Sequence, residues 1–137
     1  MSSASDIFFT SIGCMDGRVQ SPVAKFGEAL FGACFPDTIT EAGLVALLAK
    51  DVPDQALISS ITRKINISLE KHHSRGIIIH GHEDCAGNPV DNQKHKEDVL
   101  KAVKVIKSIV AEGVKVIPVF VEKQGTAWVV EEIKVES

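Results

Sequence analysis

The stretch that decides the fold is Ile-Ile-Ile-His-Gly-His-Glu-Asp-Cys-Ala-Gly, at residues 77–87. Three consecutive isoleucines are typical of a strand that is buried on both faces, as in a parallel sheet. The strand runs directly into His82 and Cys85, whose ring nitrogen and sulfur can be directed at one point, as zinc requires. Gly81 and Gly87 allow tight turns on either side. A single motif of this kind is more often incidental than a metal site.

A second stretch has the same arrangement: residues 11–19 read Ser-Ile-Gly-Cys-Met-Asp-Gly-Arg-Val and follow an apolar run at residues 7–9. Sites in an open α/β sheet form at the carboxyl ends of strands, so two adjacent parallel strands would bring Cys14 beside His82 and Cys85. Three protein ligands and an open fourth position are the pattern of catalytic zinc, whereas structural zinc is usually closed by four. The pattern therefore predicts a zinc site with these three ligands; the alternative is a zinc ion that only stabilises the fold.

Together the two motifs resemble the signature of the β-class carbonic anhydrases. The family motif CxDxR occurs here at residues 14–18, and GHxxC occurs at residues 81–85. The resemblance covers about residues 7–133. It implies one Zn2+ ion and the reversible hydration of carbon dioxide to bicarbonate by zinc-bound hydroxide. It also implies that Asp16 and Arg18 are catalytic: the aspartate, held by a bidentate arginine, accepts a hydrogen bond from the hydroxide. The alternative is that Asp16 only caps a helix and Arg18 lies on the surface.

Three departures from the family pattern bear on the substrate pocket and on assembly. Ala86 stands where the family usually has glycine, and residues 40–43 read Thr-Glu-Ala-Gly in place of Arg-Asn-Ala-Gly. Only six residues precede the first apolar run, so we expect the N-terminal helices that usually embrace a partner subunit to be missing. Because family members build the pocket at a subunit interface, the resemblance still implies a homodimer or a higher homo-oligomer. We expect its surface at the apolar run over residues 44–49 and at the hairpin around Trp128.

The predicted site leaves two other functions open. Zinc-bound hydroxide would attack another small linear molecule in the same way, so the alternative enzyme is a hydrolase of carbon disulfide or carbonyl sulfide. The alternative outside enzymes is a zinc-binding domain that has lost turnover. The altered residues 40–43 and the missing N-terminal helices favour that second alternative.

Length and composition favour one domain over residues 1–137, with 45% hydrophobic residues. The net charge of −3 offers no basic field for nucleic acid. There is no apolar run of about 18 residues that could span a membrane. Residues 1–6 are too short and polar for a signal peptide. Two of the three cysteines are proposed ligands, so we expect a reducing, cytoplasmic setting and a buried, apolar role for Cys34.

The rest of the chain alternates predicted strands and helices. Strands are predicted at residues 7–13, 37–41, 76–82 and 114–121, and a returning hairpin strand at 126–130. Helices are predicted from Pro22 to Phe31, over 44–49, from Asp54 to about His73 and over 99–110. This order predicts an α/β fold: a mostly parallel central sheet of four to five strands, flanked by helices, with a C-terminal antiparallel hairpin strand.

Two further histidines and an aspartate lie near the predicted ligands. His80 shares a strand face with His82, so it could replace that ligand or carry protons, although a hydrogen-bonded role below the site is favoured. His95 lies in a polar stretch and is expected to be exposed. Asp84, between the ligands, could orient one of them.

Overall fold

A five-stranded sheet forms the centre of the computed structural model, which describes residues 6–135. The strands are β1 (Phe8–Gly13), β2 (Phe35–Thr40), β3 (Ile77–His82), β4 (Val116–Gln124) and β5 (Ala127–Glu132). Their order in the sheet is β2-β1-β3-β4-β5; the first four are parallel and β5 is antiparallel to β4. The predicted fold, a mostly parallel sheet that ends in an antiparallel hairpin strand, is confirmed.

Helices pack on both faces of the sheet. They are α1 (Gly17–Phe31), α2 (Leu44–Leu48), α3 (Gln55–Asn66) and α4 (Asn92–Ile109), and a π-helical turn over Ile67–Lys71 follows α3. One apolar core lies between the sheet and α2, α3 and α4, and a second lies between the sheet and α1. Within residues 6–135, no helix is both long and apolar enough to cross a membrane.

The isoleucine run forms β3, which is buried along its whole length. Ile77 and Ile79 belong to the first core, while Ile78 belongs to the second, because successive side chains of a strand point to opposite faces. β3 lies between β1 and β4, and Gly13 at the end of β1 is paired with His80. The two strands therefore end side by side in the middle of the sheet.

Helix α1 begins five residues earlier than predicted. Pro22 was expected near its start, but the helix begins at Gly17 with Asp16 as its N-cap, and Pro22 lies within it. The side chain of Asp16 accepts a hydrogen bond from the backbone N–H of Arg18 at 2.9 Å. This cap satisfies a free N–H of the first turn, so the helix can begin directly after the first motif. As a result Asp16 and Arg18 share one helical turn beside Cys14.

Helix α2 forms as predicted, and three of its five side chains face the chain's own core. Its side chains Leu44, Val45 and Leu48 are all buried, and they pack in the first core against α4. These three side chains belong to the chain's own core, so within the helix only the half-buried Ala46 and Leu47 could contact a partner subunit.

Candidate metal centre

The structure brings the three predicted ligands together at the carboxyl ends of β1 and β3. Cys14 follows β1, His82 ends β3 and Cys85 lies in the loop after it. Their ligand atoms all lie within 4.8 Å of one another, and the Sγ atoms of Cys14 and Cys85 are 3.8 Å apart. All three side chains are buried. Adjacent parallel strands thus produce the juxtaposition that the two motifs predicted.

The ring of His82 is oriented by the loop that follows it. Its Nδ1 lies 2.8 Å from the carbonyl oxygen of Glu83, and because a carbonyl can only accept, Nδ1 carries the hydrogen. In the tautomer that carries its hydrogen on Nδ1, the other ring nitrogen, Nε2, has the lone pair that can bind a metal. This atom is buried and has no hydrogen-bond partner among the described residues. A buried acceptor without a partner costs about 1–3 kcal/mol, and metal ligation would remove that cost.

The two thiols also fit a metal. Burial raises the pKa of the Cys85 thiol, and the nearby Cys14 adds to this effect. A divalent cation reverses the effect, because a coordinated thiol is deprotonated. The backbone N–H of Gly43 points at the Sγ of Cys14 from 3.5 Å and supports negative charge there. Two sulfurs and one imidazole nitrogen, all buried, are a donor set suited to Zn2+.

Residues 40–43, which differ from the family pattern, lie beside the ligand group through Gly43. This residue has φ +63°, and a Cβ on it would lie 2.4 Å from the carbonyl oxygen of Gly87. A Cβ on Gly87 would in turn lie 2.6 Å from the nitrogen of Gly43. The two glycines therefore let the loop before α2 press against the loop that carries Cys85, which places the N–H of Gly43 beside Cys14.

Asp16 and Arg18 form a bidentate ion pair at the edge of the ligand group. Arg18 donates from Nε to Oδ1 at 3.0 Å and from Nη2 to Oδ2 at 2.7 Å. These hydrogen bonds lower the pKa of Asp16 to about 2 against the opposing effect of burial, so the carboxylate is ionised at neutral pH. Oδ2 also lies 4.0 Å from Nε2 of His82. The capping role and the paired role were alternatives in the sequence, but here Asp16 has both.

Arg18 has two further partners that lie far from it in the sequence, Asp84 and Trp128. Its Nη1 donates to Oδ2 of Asp84 at 3.1 Å and its Nη2 to the carbonyl oxygen of Asp84 at 2.9 Å. Asp84 could have oriented a metal ligand, but its hydrogen bonds are with Arg18. The guanidinium carbon also lies 4.6 Å from the ring centroid of Trp128 in β5. No local signal in the sequence indicated this tryptophan, which is more than a hundred residues away along the chain.

His80 is completely buried below the ligand group but does not belong to it. The prediction of a hydrogen-bonded histidine is wrong within the described residues, since neither ring nitrogen has a partner there. Burial, with a smaller effect of His82, lowers the pKa of His80 to about 3, so the ring is neutral. It packs against Gly13, where a Cβ would lie 2.3 Å from the ring.

Two other expectations are wrong. His95 was expected to be exposed, but it is 2% exposed, and its ring lies 5.9 Å from that of His82 and 5.4 Å from that of Phe120. Burial is the main reason that the pKa of His95 falls to about 4. Cys34 was expected to be buried, but it is exposed in the turn between α1 and β2. Both positions depend on how helices α1 and α4 dock, which the local polarity of the sequence does not indicate.

A family model described as "Putative carbonic anhydrase" matches residues 4–134. No curated protein sequence matches the chain significantly.

Solved carbonic anhydrases, among them β-class enzymes, share its fold at low sequence identity. The enzyme CafA of the fungus Aspergillus fumigatus superposes with a TM-score of 0.61 at 15% identity, over 97% of this chain and 78% of that one. The carbonic anhydrase of Streptococcus mutans gives 0.60 at 18% identity, over 91% and 81% of the two chains. One of two tetrameric β-carbonic anhydrases from Sordaria macrospora gives 0.58 at 14% identity, over 98% and 83%.

Proposed function

Because the chain belongs to the carbonic anhydrase family and has the fold of its β class, we propose that it is a zinc enzyme that reversibly hydrates carbon dioxide to bicarbonate. The observation that carries the proposal is the buried group of Cys14, His82 and Cys85 at the carboxyl edge of the sheet. The family-level match and the three metal-compatible donors at the predicted strand ends both support this activity.

Each residue of the site has a role in this proposal. Cys14, His82 and Cys85 would hold the zinc ion, which when bound supplies Lewis-acid activation of water at neutral pH. Asp16 is ionised and lies 4.0 Å from His82 Nε2, so it can accept a hydrogen bond beside the ligand group and orient the reacting oxygen. Arg18 keeps the carboxylate in that place through two parallel hydrogen bonds.

A stopped-flow assay of carbon dioxide hydration tests the proposal directly. We expect zinc-loaded protein to accelerate hydration well above buffer, chelator-treated protein to lose this activity, and added zinc to restore it. Parallel assays with carbonyl sulfide and carbon disulfide separate the alternative enzymes. Faster turnover of either molecule would replace the proposed substrate, and loaded protein that is inactive on all three would show a zinc-binding domain without turnover.

We also propose that the protein is a homodimer or a higher homo-oligomer, as the tetrameric description of the Sordaria enzymes suggests for the fold. In the described residues β2 is an edge strand of the sheet, and Phe35 at its start is 45% exposed. Light scattering at micromolar concentration should give at least twice the mass of the chain. Phe35→Lys should shift it toward monomer, while the matched control Val52→Lys, at an 83% exposed valine, should not. A monomeric wild-type protein would refute the proposal.

The free thiols of Cys14, Cys34 and Cys85 suit a reducing compartment, so we propose a cytoplasmic location. We also propose that residues 1–137 form one domain.

A further inference from the structure

We propose that Trp128 and Asp84 are positioning residues that clamp the guanidinium of Arg18 and thereby hold Asp16 away from the metal ligands. The inference rests on the proposed zinc site, because it concerns how the carboxylate beside that site is kept in place. It adds two residues, one of them on the hairpin strand β5, to the pair that the sequence motif contains.

Arg18 needs more than Asp16 to be fixed. Its side chain is 42% exposed, and it lies in the first turn of α1. An exposed ion pair gains little from charge alone, and ordering a long side chain costs rotamer entropy. With Asp16 as its only contact, the guanidinium would exchange between the carboxylate and water. The structure instead surrounds the guanidinium with three separate groups.

Asp84 is the second of these groups. It accepts from two nitrogens of Arg18, once with Oδ2 and once with its backbone oxygen. Its backbone has φ +57°, a left-handed conformation that is uncommon for a residue other than glycine. The carbonyl belongs to the loop between His82 and Cys85, so Arg18 connects the loop after β3 to the first turn of α1. The ion pair and the loop with the ligands are thus coupled.

Trp128 is the third group. It lies on β5, which packs against α1, and its side chain contributes to the core around Val19 and Val23 of that helix. The indole is therefore held by the fold, and its face covers the guanidinium at 4.6 Å. A cation over an aromatic face is attracted by the ring quadrupole, and tryptophan is the strongest partner. With the guanidinium plane held in this way, its fork stays aligned with Asp16.

The clamp matters because the carboxylate of Asp16 lies close enough to the metal ligands to bind a metal ion itself. Its Oδ2 is only 4.0 Å from Nε2 of His82, the nitrogen that would face the metal. A carboxylate released by Arg18 could turn toward the ligand group and take the open fourth place. Neither side chain belongs to the ligand group, and both contact Arg18, so we expect them to act on Asp16 through Arg18.

Cobalt-substituted protein titrated with thiocyanate tests the proposal, because the absorption of Co2+ reports whether an anion can enter the fourth place. We expect Trp128→Ala to weaken thiocyanate binding by about three- to tenfold, and Trp128→Phe to retain most of the affinity because it keeps an aromatic face. Val129→Ala, a neighbour on the same strand, should bind like wild type. Asp84→Ala should weaken binding in the same direction as Trp128→Ala.

Repeating the measurement in an Asp16→Asn variant distinguishes an effect on the position of Asp16 from a general disturbance of the site. Asn is also a good helix cap, so Asp16→Asn should preserve α1 while removing the competing carboxylate. In the Asp16→Asn variant, Trp128→Ala should change thiocyanate affinity by less than about twofold, because no carboxylate is present to compete with the anion. An equal loss in both backgrounds, or no loss in either, would overturn the proposal.

The clamp can also be observed without any metal or turnover. In zinc-free protein, the NMR signal of the Arg18 Nε–H should lie away from the position of free arginines, and it should move there in Trp128→Ala but not in Val129→Ala. An Arg18 signal that is unchanged in Trp128→Ala would contradict the clamp. A protein that fails to hydrate carbon dioxide would leave this measurement unaffected, so the two proposals can fail separately.

Discussion

Cys85→Ser should lower the affinity for zinc by more than about 100-fold. Changes to residues that only orient metal ligands already cost about 10- to 100-fold, and this substitution removes a ligand atom itself. The Sγ of Cys85 lies 3.8 Å from that of Cys14, in a buried site where a hydroxyl cannot replace a thiolate as a soft donor. Zinc content after competition with a colorimetric chelator measures the effect, and circular dichroism shows whether the fold is kept.

Cys34→Ser is the matched control for this measurement. Cys34 is a free, exposed cysteine outside the ligand group, so its replacement should leave zinc affinity unchanged. The reverse result, with full zinc content in Cys85→Ser and loss in Cys34→Ser, would show that the ligands have been assigned incorrectly.

Arg18→Ala should lower kcat/KM for carbon dioxide by about 10- to 100-fold, the usual range for a residue that orients groups beside a metal. The variant removes the hydrogen bonds from the Arg18 side chain that align Asp16, whose Oδ2 is 4.0 Å from His82 Nε2. The freed carboxylate would then compete for the open place of the site. Stopped-flow hydration measures the rate, and thiocyanate binding to the cobalt form should weaken in parallel.

Arg75→Ala is a suitable control, because Arg75 is also an exposed arginine that bonds α1, but at the opposite end through the carbonyl oxygen of Phe31. It should retain wild-type activity. If Arg18→Ala keeps full activity while thiocyanate still binds to its cobalt form normally, Arg18 is only a surface residue and Asp16 needs no partner.

Several features of this protein could be predicted from residues close together in the chain. The run Ile77–Ile79 predicts a strand buried on both faces, because successive side chains point to opposite faces and three large apolar side chains in a row therefore need a core on each side. The ligand group needed one further condition: parallel strands end at one edge, and the residues directly after β1 and β3 meet there only if these two strands are neighbours, as the sheet shows them to be.

Other features depend on contacts between distant segments, and only the tertiary structure decided them. The burial of His95 and the exposure of Cys34 depend on how α4 and α1 dock, not on their neighbours in sequence. The apolar residues of α2 could equally have formed a core or a subunit surface, and packing against α4 made them core.

The clearest case is Arg18. The family resemblance implied its partner Asp16, two residues away, and in the structure Asp16 caps the helical turn that contains Arg18. Asp84 and Trp128 reach the same guanidinium only because β1, β3 and β5 are placed in one sheet with α1 packed over it. A local pattern determines which side chains can interact within one turn or at one strand end. Contacts between residues far apart in the sequence, such as those of Arg18 with Asp84 and Trp128, depend on how the strands and helices pack together in the core.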